Sequence, residues 1–322
     1  MPLESIRSLV HSDLEATDKF ICTELLSDIP LINELVEYIL NCGGKRIRPL
    51  LVLLTARAFG HQDQQHIDLA AAIELIHTAT LLHDDVVDSS TLRRGNKTAN
   101  NIWGNEASVL VGDFLYSRAF QLIVKLKNLQ ILEIFSGATN LIAEGEILQL
   151  INCHDPDTTE QSYYDVIRRK TAKLFEVAAQ TGAALNQHTA AQMTAMQHYG
   201  VHLGTAYQLI DDALDYSSSA AEMGKNMGDD LAEGKPTLPL IHALRQGTPA
   251  EVTLLKEAIK TGNTENLDSI LTIIESTGAI EYTANAAKQQ IQQAISGLTH
   301  IPDSPYRKAM RDLAEFVVAR KY

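Results

Sequence analysis

Residues 70–88 read Ala70-Ala-Ala-Ile-Glu74-Leu-Ile-His77-Thr-Ala79-Thr80-Leu-Leu-His83-Asp84-Asp85-Val-Val-Asp88. The run is apolar at helical spacing, contains no glycine or proline, and ends in three aspartates. Its periodicity predicts a helix over roughly 65–88. The pattern continues on both sides. No proline stands between Pro49 and Pro156, nor between Pro156 and Pro236, and those stretches are rich in Ala, Leu, Glu, Gln and Ile. Two-residue alternation is hard to find. Pro30 and Pro49 fall where a helix start tolerates proline, and Gly43-Gly44 and Gly60 where helices stop. The sequence therefore predicts one all-α domain over 1–322. Its helices run near 3–27, 31–41, 49–59, 65–88, 105–126, 128–152, 158–186 and 189–218, with a further series from 237 to 320.

Composition narrows the class. The 322 residues are 45% hydrophobic, ample for a packed core. Forty acidic against 27 basic side chains give a net charge of −13, which argues against a nucleic-acid binder working through a broad basic surface. Cys22, Cys42 and Cys153 are odd in number and form no CxxC pair, so neither a disulfide scaffold nor a zinc ribbon is expected. The N-terminus lacks a basic start followed by an apolar run, and no apolar stretch approaches the ~18 residues of a membrane span. The expectation is a soluble, intracellular protein with no transmembrane segment.

Packing does not explain the aspartates. A second cluster, Gln208-Leu-Ile-Asp211-Asp212-Ala-Leu-Asp215, repeats the Asp-Asp-x-x-Asp of residues 84–88. At about 100° per residue, positions four apart differ by only about 40°, so Asp84 and Asp88 share a face, as do Asp211 and Asp215. Like charges at that spacing destabilise a helix unless a cation offsets them. Ligands made only of oxygen suit Mg²⁺, which keeps several waters and is completed by substrate phosphates. Cationic residues gather near glycine or proline in three places: Gly43-Gly44-Lys45-Arg46-Ile47-Arg48-Pro49, Arg93-Arg94-Gly95, and Gly224-Lys225-Asn226 with Glu233-Gly234-Lys235-Pro236. Arginine offers a planar fork and lysine a point charge for phosphate oxygens. In an acidic chain these clusters point to a compact polyanionic ligand.

Taken in order, Gly44-Lys-Arg-x-Arg-Pro49, Asp84–Asp88 with Arg93-Arg94-Gly95, Lys170-Thr171, and Asp211–Asp215 with Gly224-Lys225 and Gly234-Lys235 resemble the trans-isoprenyl diphosphate synthases, particularly the long-chain bacterial type. The resemblance implies a large helical bundle of the isoprenoid synthase type with a central substrate cavity. It implies that isopentenyl diphosphate is held by Lys45, Arg48, His77 and Arg94. The allylic diphosphate would be held by Arg93, Lys170, Thr171, Gln208, Lys225 and Lys235. Two or three Mg²⁺ ions would sit on Asp84, Asp85, Asp88, Asp211, Asp212 and Asp215. Ala79 and Thr80, one turn before Asp84, would set product length, because a small residue there lets a growing chain pass deeper. The implied activity is stepwise trans addition of isopentenyl units to an allylic primer, giving a long-chain polyprenyl diphosphate for a quinone side chain. A homodimer in the cytoplasm is implied, touching the membrane at most transiently to release product.

Rival readings are a shorter-chain synthase of the geranylgeranyl type, a terpene cyclase, and a non-catalytic subunit of a heteromeric synthase. The last two usually lack an intact second Asp-Asp-x-x-Asp. A di-iron bundle would use Glu74-x-x-His77, but no second Glu-x-x-His occurs.

Overall fold

The computed structural model describes residues 3–217 and 227–320, so Gly224, Lys225 and Asn226 lie outside the described residues. Helix α1 (Leu3–Arg7) passes through a 3₁₀ turn into α2 (His11–Glu24), followed by α3 (Pro30–Asn41), α4 (Ile47–Ala58) and α5 (Gln65–Val87). A hairpin of β1 (Leu92–Arg93) and β2 (Asn96–Lys97) precedes α6 (Ala99–Trp103), α7 (Asn105–Lys125) and α8 (Leu129–Asn152). Next come α9 (Glu160–Ile167), a π-helical turn over Arg168–Ala172, α10 (Lys173–Ala184) and α11 (Ala190–Asp215). The remainder holds α12 (Asp229–Ala232), α13 (Leu238–Gln246), α14 (Pro249–Thr261), α15 (Leu267–Ser276), α16 (Ala279–Gly297) and α17 (Pro305–Val318). Among the described residues the hairpin is the only sheet.

Local chemistry accounts for many of the boundaries. Thr189 with Gln192, and Thr248 with Glu251, form reciprocal capping boxes that open α11 and α14. Proline occupies the first turn of α3, α13, α14 and α17, where its missing N–H is not needed. The predicted helix over 158–186 is broken by the π-helical turn, and 3–27 is split by the 3₁₀ turn. The stretch between the helices expected at 65–88 and 105–126 contains the hairpin and α6. Its two-residue turn is Arg94-Gly95, both at positive φ (52° and 77°), the handedness that suits a tight hairpin.

Helix α4 is apolar on every side, and all but two of its residues are buried. Such a helix belongs in the middle of a bundle. It packs on α5 and α10, while α10 in turn packs on α11, and α11 on α16. The main core draws on α4, α5, α10 and α11, with Phe135, Phe175 and Tyr199 among its largest fully buried side chains. A second apolar cluster, including Leu231, Leu240, Leu255, Ile259, Ile270 and Ile274, gathers α12 to α15. Helix α7 is by length and composition apolar enough to cross a membrane, and 39% of its most apolar window is buried in the bundle.

Candidate active site

The open ends of α5 and α11 face one cavity. It encloses about 830 Å³, including its mouth, and is lined by Asp84, Asp88, Arg93, Lys170, Thr171, Gln208, Asp212 and Lys235 together with Tyr163 and Asp230. Eight residues expected from sequence thus meet in one place. Asp84 and Asp88 come from the last turn of α5 and its C-cap. Lys170 and Thr171 come from the π-helical turn, a feature often found at functional sites. That turn is wedged between two glycines. A Cβ on Gly145 of α8 would lie 2.7 Å from the Lys170 backbone nitrogen, and one on Gly204 of α11 2.6 Å from Ala172 Cα. The close approach of three backbones sets where Lys170 points.

Cations separate the carboxylates. Lys170 Nζ lies 2.5 Å from Glu146 and 3.7 Å from Asp84. Lys235 Nζ donates to Asp88 at 2.8 Å and also to Glu233. Asp85 is turned away from the cavity into a pair with Arg93, 2.6 Å from its guanidinium. On the opposite wall Asp212 is buried, accepting from Tyr163 at 2.5 Å and from Gln208 at 2.7 Å. Gln208 in turn accepts from the Thr171 hydroxyl at 2.9 Å. Asp215 accepts from the backbone N–H of Asp230. Asp211 points elsewhere and pairs with Arg320 at 2.6 Å.

Negative charge is in excess here. Burial, with the charge of Asp84, pushes the Glu146 carboxyl up to about 7. Burial and the neighbouring Asp230 push Asp212 up to about 8. Burial alone would lower the Lys235 ammonium, but Asp88, Glu233 and Asp230 hold it above the ordinary lysine range. Lysines now stand between the carboxylates, so among the described residues no three of them converge as a ready metal site.

A second polar group lies beyond Asp211. Arg48 is over the Phe175 ring, 4.5 Å from its centroid, and its guanidinium lies 3.0 Å from His77 Nε2. Arginine only donates, so His77 accepts through Nε2 and carries its proton on Nδ1. Burial, then the charges of Arg48, Arg94, Arg93 and Arg46, keep the imidazole well below its usual range and neutral. Arg94 packs on Gly44 and donates to the Gly43 carbonyl. Lys45 is exposed, and partial desolvation together with the Arg320 charge lowers its ammonium. All four residues expected at the isopentenyl side therefore share one neighbourhood. Arg46 does not join them: it pairs with buried Glu74, which removes Glu74 from any di-iron reading. Ala79 is fully buried on α5, while Thr80 is half-buried and donates to the His77 carbonyl.

Sequence reasoning missed Tyr163, Glu146, Asp230 and Arg320. Arg320 stands near the end of the chain with no motif around it, yet lies over the Tyr207 ring, 4.9 Å from its centroid. Tyr163 and Glu146 sit in ordinary helical sequence, and nothing local marks either of them. Asp230 had a weak signal, five residues before Lys235.

An all-helical bundle with two facing Asp-rich helix ends and adjoining cationic groups is the architecture of a prenyl-transferring enzyme. The model of the polyprenyl synthetase family matches residues 29–276. The chain is 50% identical over 321 residues to octaprenyl diphosphate synthase of Escherichia coli, covering 99% of both. It is 49% identical to octaprenyl diphosphate synthase of Haemophilus influenzae, covering 100% of this chain and 98% of that one. Among solved structures, a polyprenyl synthase from Caulobacter crescentus complexed with calcium and isoprenyl diphosphate superposes with a TM-score of 0.96 at 41% identity, covering 100% and 98%. A decaprenyl diphosphate synthase from Rhodobacter capsulatus gives 0.94 at 41% identity, covering 99% of each. The chain belongs to the polyprenyl synthetase family. It is a trans-prenyltransferase that elongates an allylic diphosphate with isopentenyl diphosphate.

Proposed function

We propose that this enzyme is a magnesium-dependent octaprenyl diphosphate synthase that works as a homodimer. The observation that carries the catalytic reading is the meeting of both Asp-rich helix ends, Lys170, Lys235 and Arg93 around one cavity. The product length is supported by the octaprenyl synthases that match the whole chain at 50% and 49% identity.

The donor set fits Mg²⁺: every candidate ligand is a carboxylate oxygen, and burial and carboxylate–carboxylate repulsion hold Glu146 and Asp212 above the ordinary carboxyl range, a strain that a bound cation would relieve. Asp84 and Asp88 would hold metal from one wall and Asp211 and Asp215 from the other. Bound there, Mg²⁺ supplies neutralisation of the charge that grows on the leaving diphosphate. The protein does the rest. Lys170 and Lys235 leave their carboxylates for phosphate oxygens, and Arg93 and Lys225 add further positive charge. Arg48, Arg94, Lys45 and neutral His77 grip the diphosphate of isopentenyl diphosphate and hold its double bond beside the allylic carbon. Thr171 and Gln208 aim oxygen dipoles at the cation that forms when the C1–O bond breaks. The double bond attacks, a proton leaves to the departing diphosphate, and the chain is one isoprene unit longer. Apolar side chains below Asp84, starting at Ala79, receive the tail and keep out water, which would trap the cation as an alcohol.

The homodimer is supported by exposed apolar side chains. Val109, Leu110 and Val124 stand out from α7, and Leu129, Ile147, Leu150 and Ile151 from α8. The α8 residues form a single stripe, since 147, 150 and 151 are helical neighbours and 129 is five turns away on the same side. Large exposed apolar patches mark interfaces.

The decisive experiment incubates the purified protein with farnesyl diphosphate, isopentenyl diphosphate and Mg²⁺ and reads product mass. Octaprenyl diphosphate, formed only with the metal present, is the expected result. Geranylgeranyl diphosphate as the end product would overturn the length assignment, and absence of any product would overturn the catalytic one.

A further inference from the structure

Tyr163 enters no part of the scheme above, yet it is buried and its hydroxyl lies 2.5 Å from Asp212 Oδ2. The other oxygen of Asp212 accepts from the Gln208 side-chain amide at 2.7 Å, and Gln208 Oε1 accepts from Thr171 at 2.9 Å. These four side chains form one relay reaching from α9 through α11 to the π-helical turn, and all four line the catalytic cavity.

The relay has a direction. A glutamine side chain presents either its oxygen or its NH₂ to a given point. Both Asp212 oxygens accept here, one from the Tyr163 hydroxyl and the other from the Gln208 NH₂, which leaves the Gln208 oxygen toward Thr171 and the cavity. Were the amide turned over, two hydrogens would face a site where positive charge develops. Asp212 can fix the amide only if its own carboxylate is fixed, and the Tyr163 hydroxyl does that from the far side. Both Asp212 oxygens are thereby engaged within the protein, unlike Asp211, whose side chain is 37% exposed.

We propose that Tyr163 and Asp212 are positioning residues that orient the Gln208 oxygen toward the forming allylic cation, and that Asp212 serves as this anchor and not as a metal ligand. The inference rests on the proposed role of Thr171 and Gln208 at that cation. It separates Asp212 from Asp211, its neighbour in the motif.

The test compares wild type with Tyr163→Phe by calorimetry and kinetics, with melting temperature as the folding control. Two probes are used, each with Mg²⁺. One is an unreactive allylic thiodiphosphate, which carries no cation. The other is an ammonium analogue of the allylic cation given together with inorganic diphosphate. Loss of a supporting hydrogen bond to a site residue typically lowers activity about 10- to 100-fold. Tyr163→Phe is expected to lower kcat and ammonium-analogue affinity by that factor, with thiodiphosphate affinity and both KM values within about twofold of wild type. Full kcat in a folded Tyr163→Phe enzyme, or equal loss of both probes, would overturn the proposal. Failure of the wild type to bind either probe would instead overturn the reading of the site.

A second comparison tests Asp212 itself. Asp212→Asn has one oxygen for two donors, so its NH₂ opposes one of them and Gln208 is displaced. Adding Tyr163→Phe removes the conflict and lets the single oxygen serve Gln208. An anchor predicts that the double variant regains turnover over Asp212→Asn. A metal ligand predicts no recovery, because the lost charge stays lost.

Discussion

At the scale of single residues, Asp84 and Asp211 are where charge and accessibility coincide. Asp84 is held by Lys170 at 3.7 Å and Asp211 by Arg320 at 2.6 Å, and neither side chain is buried in the core. Asp84→Ala and Asp211→Ala are each expected to remove most turnover, with helical circular dichroism and melting temperature close to wild type. Near-normal turnover in either would take that aspartate out of the catalytic set. Ala79 is different, because it is fully buried on the core face of α5, one turn before Asp84. A tyrosine there overfills a packed site at about 1–3 kcal/mol. If the growing tail runs past Ala79, Ala79→Tyr stays active and its products stop at farnesyl or geranylgeranyl diphosphate. A folded Ala79→Tyr enzyme that still makes the wild-type product would exclude position 79 as the gate.

Elements position these residues, and two contacts between elements can be tested. Gly204 lets α11 touch the π-helical turn, and a Cβ at that position would sit 2.6 Å from backbone that cannot swing aside. Gly204→Ala is expected to shift Lys170 and Thr171, and a displacement near 1 Å can lower turnover about 100-fold. The kinetic loss should therefore be far larger than the fall in melting temperature; wild-type kcat in this variant would show that the turn tolerates the shift. The other contact ties α2, α4 and α5. Arg57 grips both oxygens of Asp13, and fully buried His66 lies 3.3 Å from the same carboxylate, with His61 against its ring. Burial lowers the His66 imidazole below its ordinary value of 6.5 despite the attraction of Asp13. The unfolded chain therefore takes up that proton first, and native stability falls as the pH drops below about 6.5. Asp13 adds a second window: burial would raise its carboxyl, but Arg57 and His66 bring it below 3.8, so its contribution is lost only in stronger acid. Denaturant titrations should show wild type losing stability between pH 7.5 and about pH 5.5, and His66→Phe losing less. Parallel losses in the two proteins would remove His66 as a source of the acid sensitivity.

For the whole molecule the unbalanced feature is apolar surface left outside. Leu110 and Ile147 are 66% and 59% exposed, so charging them does little to the fold of one chain. If α7 and α8 form the dimer face, Leu110→Asp with Ile147→Asp yields a folded monomer at micromolar concentration by sedimentation. A double variant that still sediments as a dimer would place the interface elsewhere.

Helical class and both Asp-rich motifs were legible in the sequence, because helix periodicity and i, i+4 spacing are local properties that need no partner. So were most of the cations, since phosphate chemistry demands Lys and Arg beside glycine. What a side chain meets across the bundle is not local, and there the tertiary structure decided. It paired Arg46 with Glu74 and sent Arg48 to His77, though the two arginines are separated by a single residue. It brought Arg320 to Asp211 across more than a hundred residues. It broke the helix expected over 158–186 with a π-helical turn, because Gly145 and Gly204 allow α8 and α11 to close on that backbone. And of the three aspartates in the second motif, which sequence treats alike, packing buried Asp212 between Tyr163 and Gln208 and left Asp211 accessible. Residues at similar spacing in one helix acquire different chemistry from the elements packed against them.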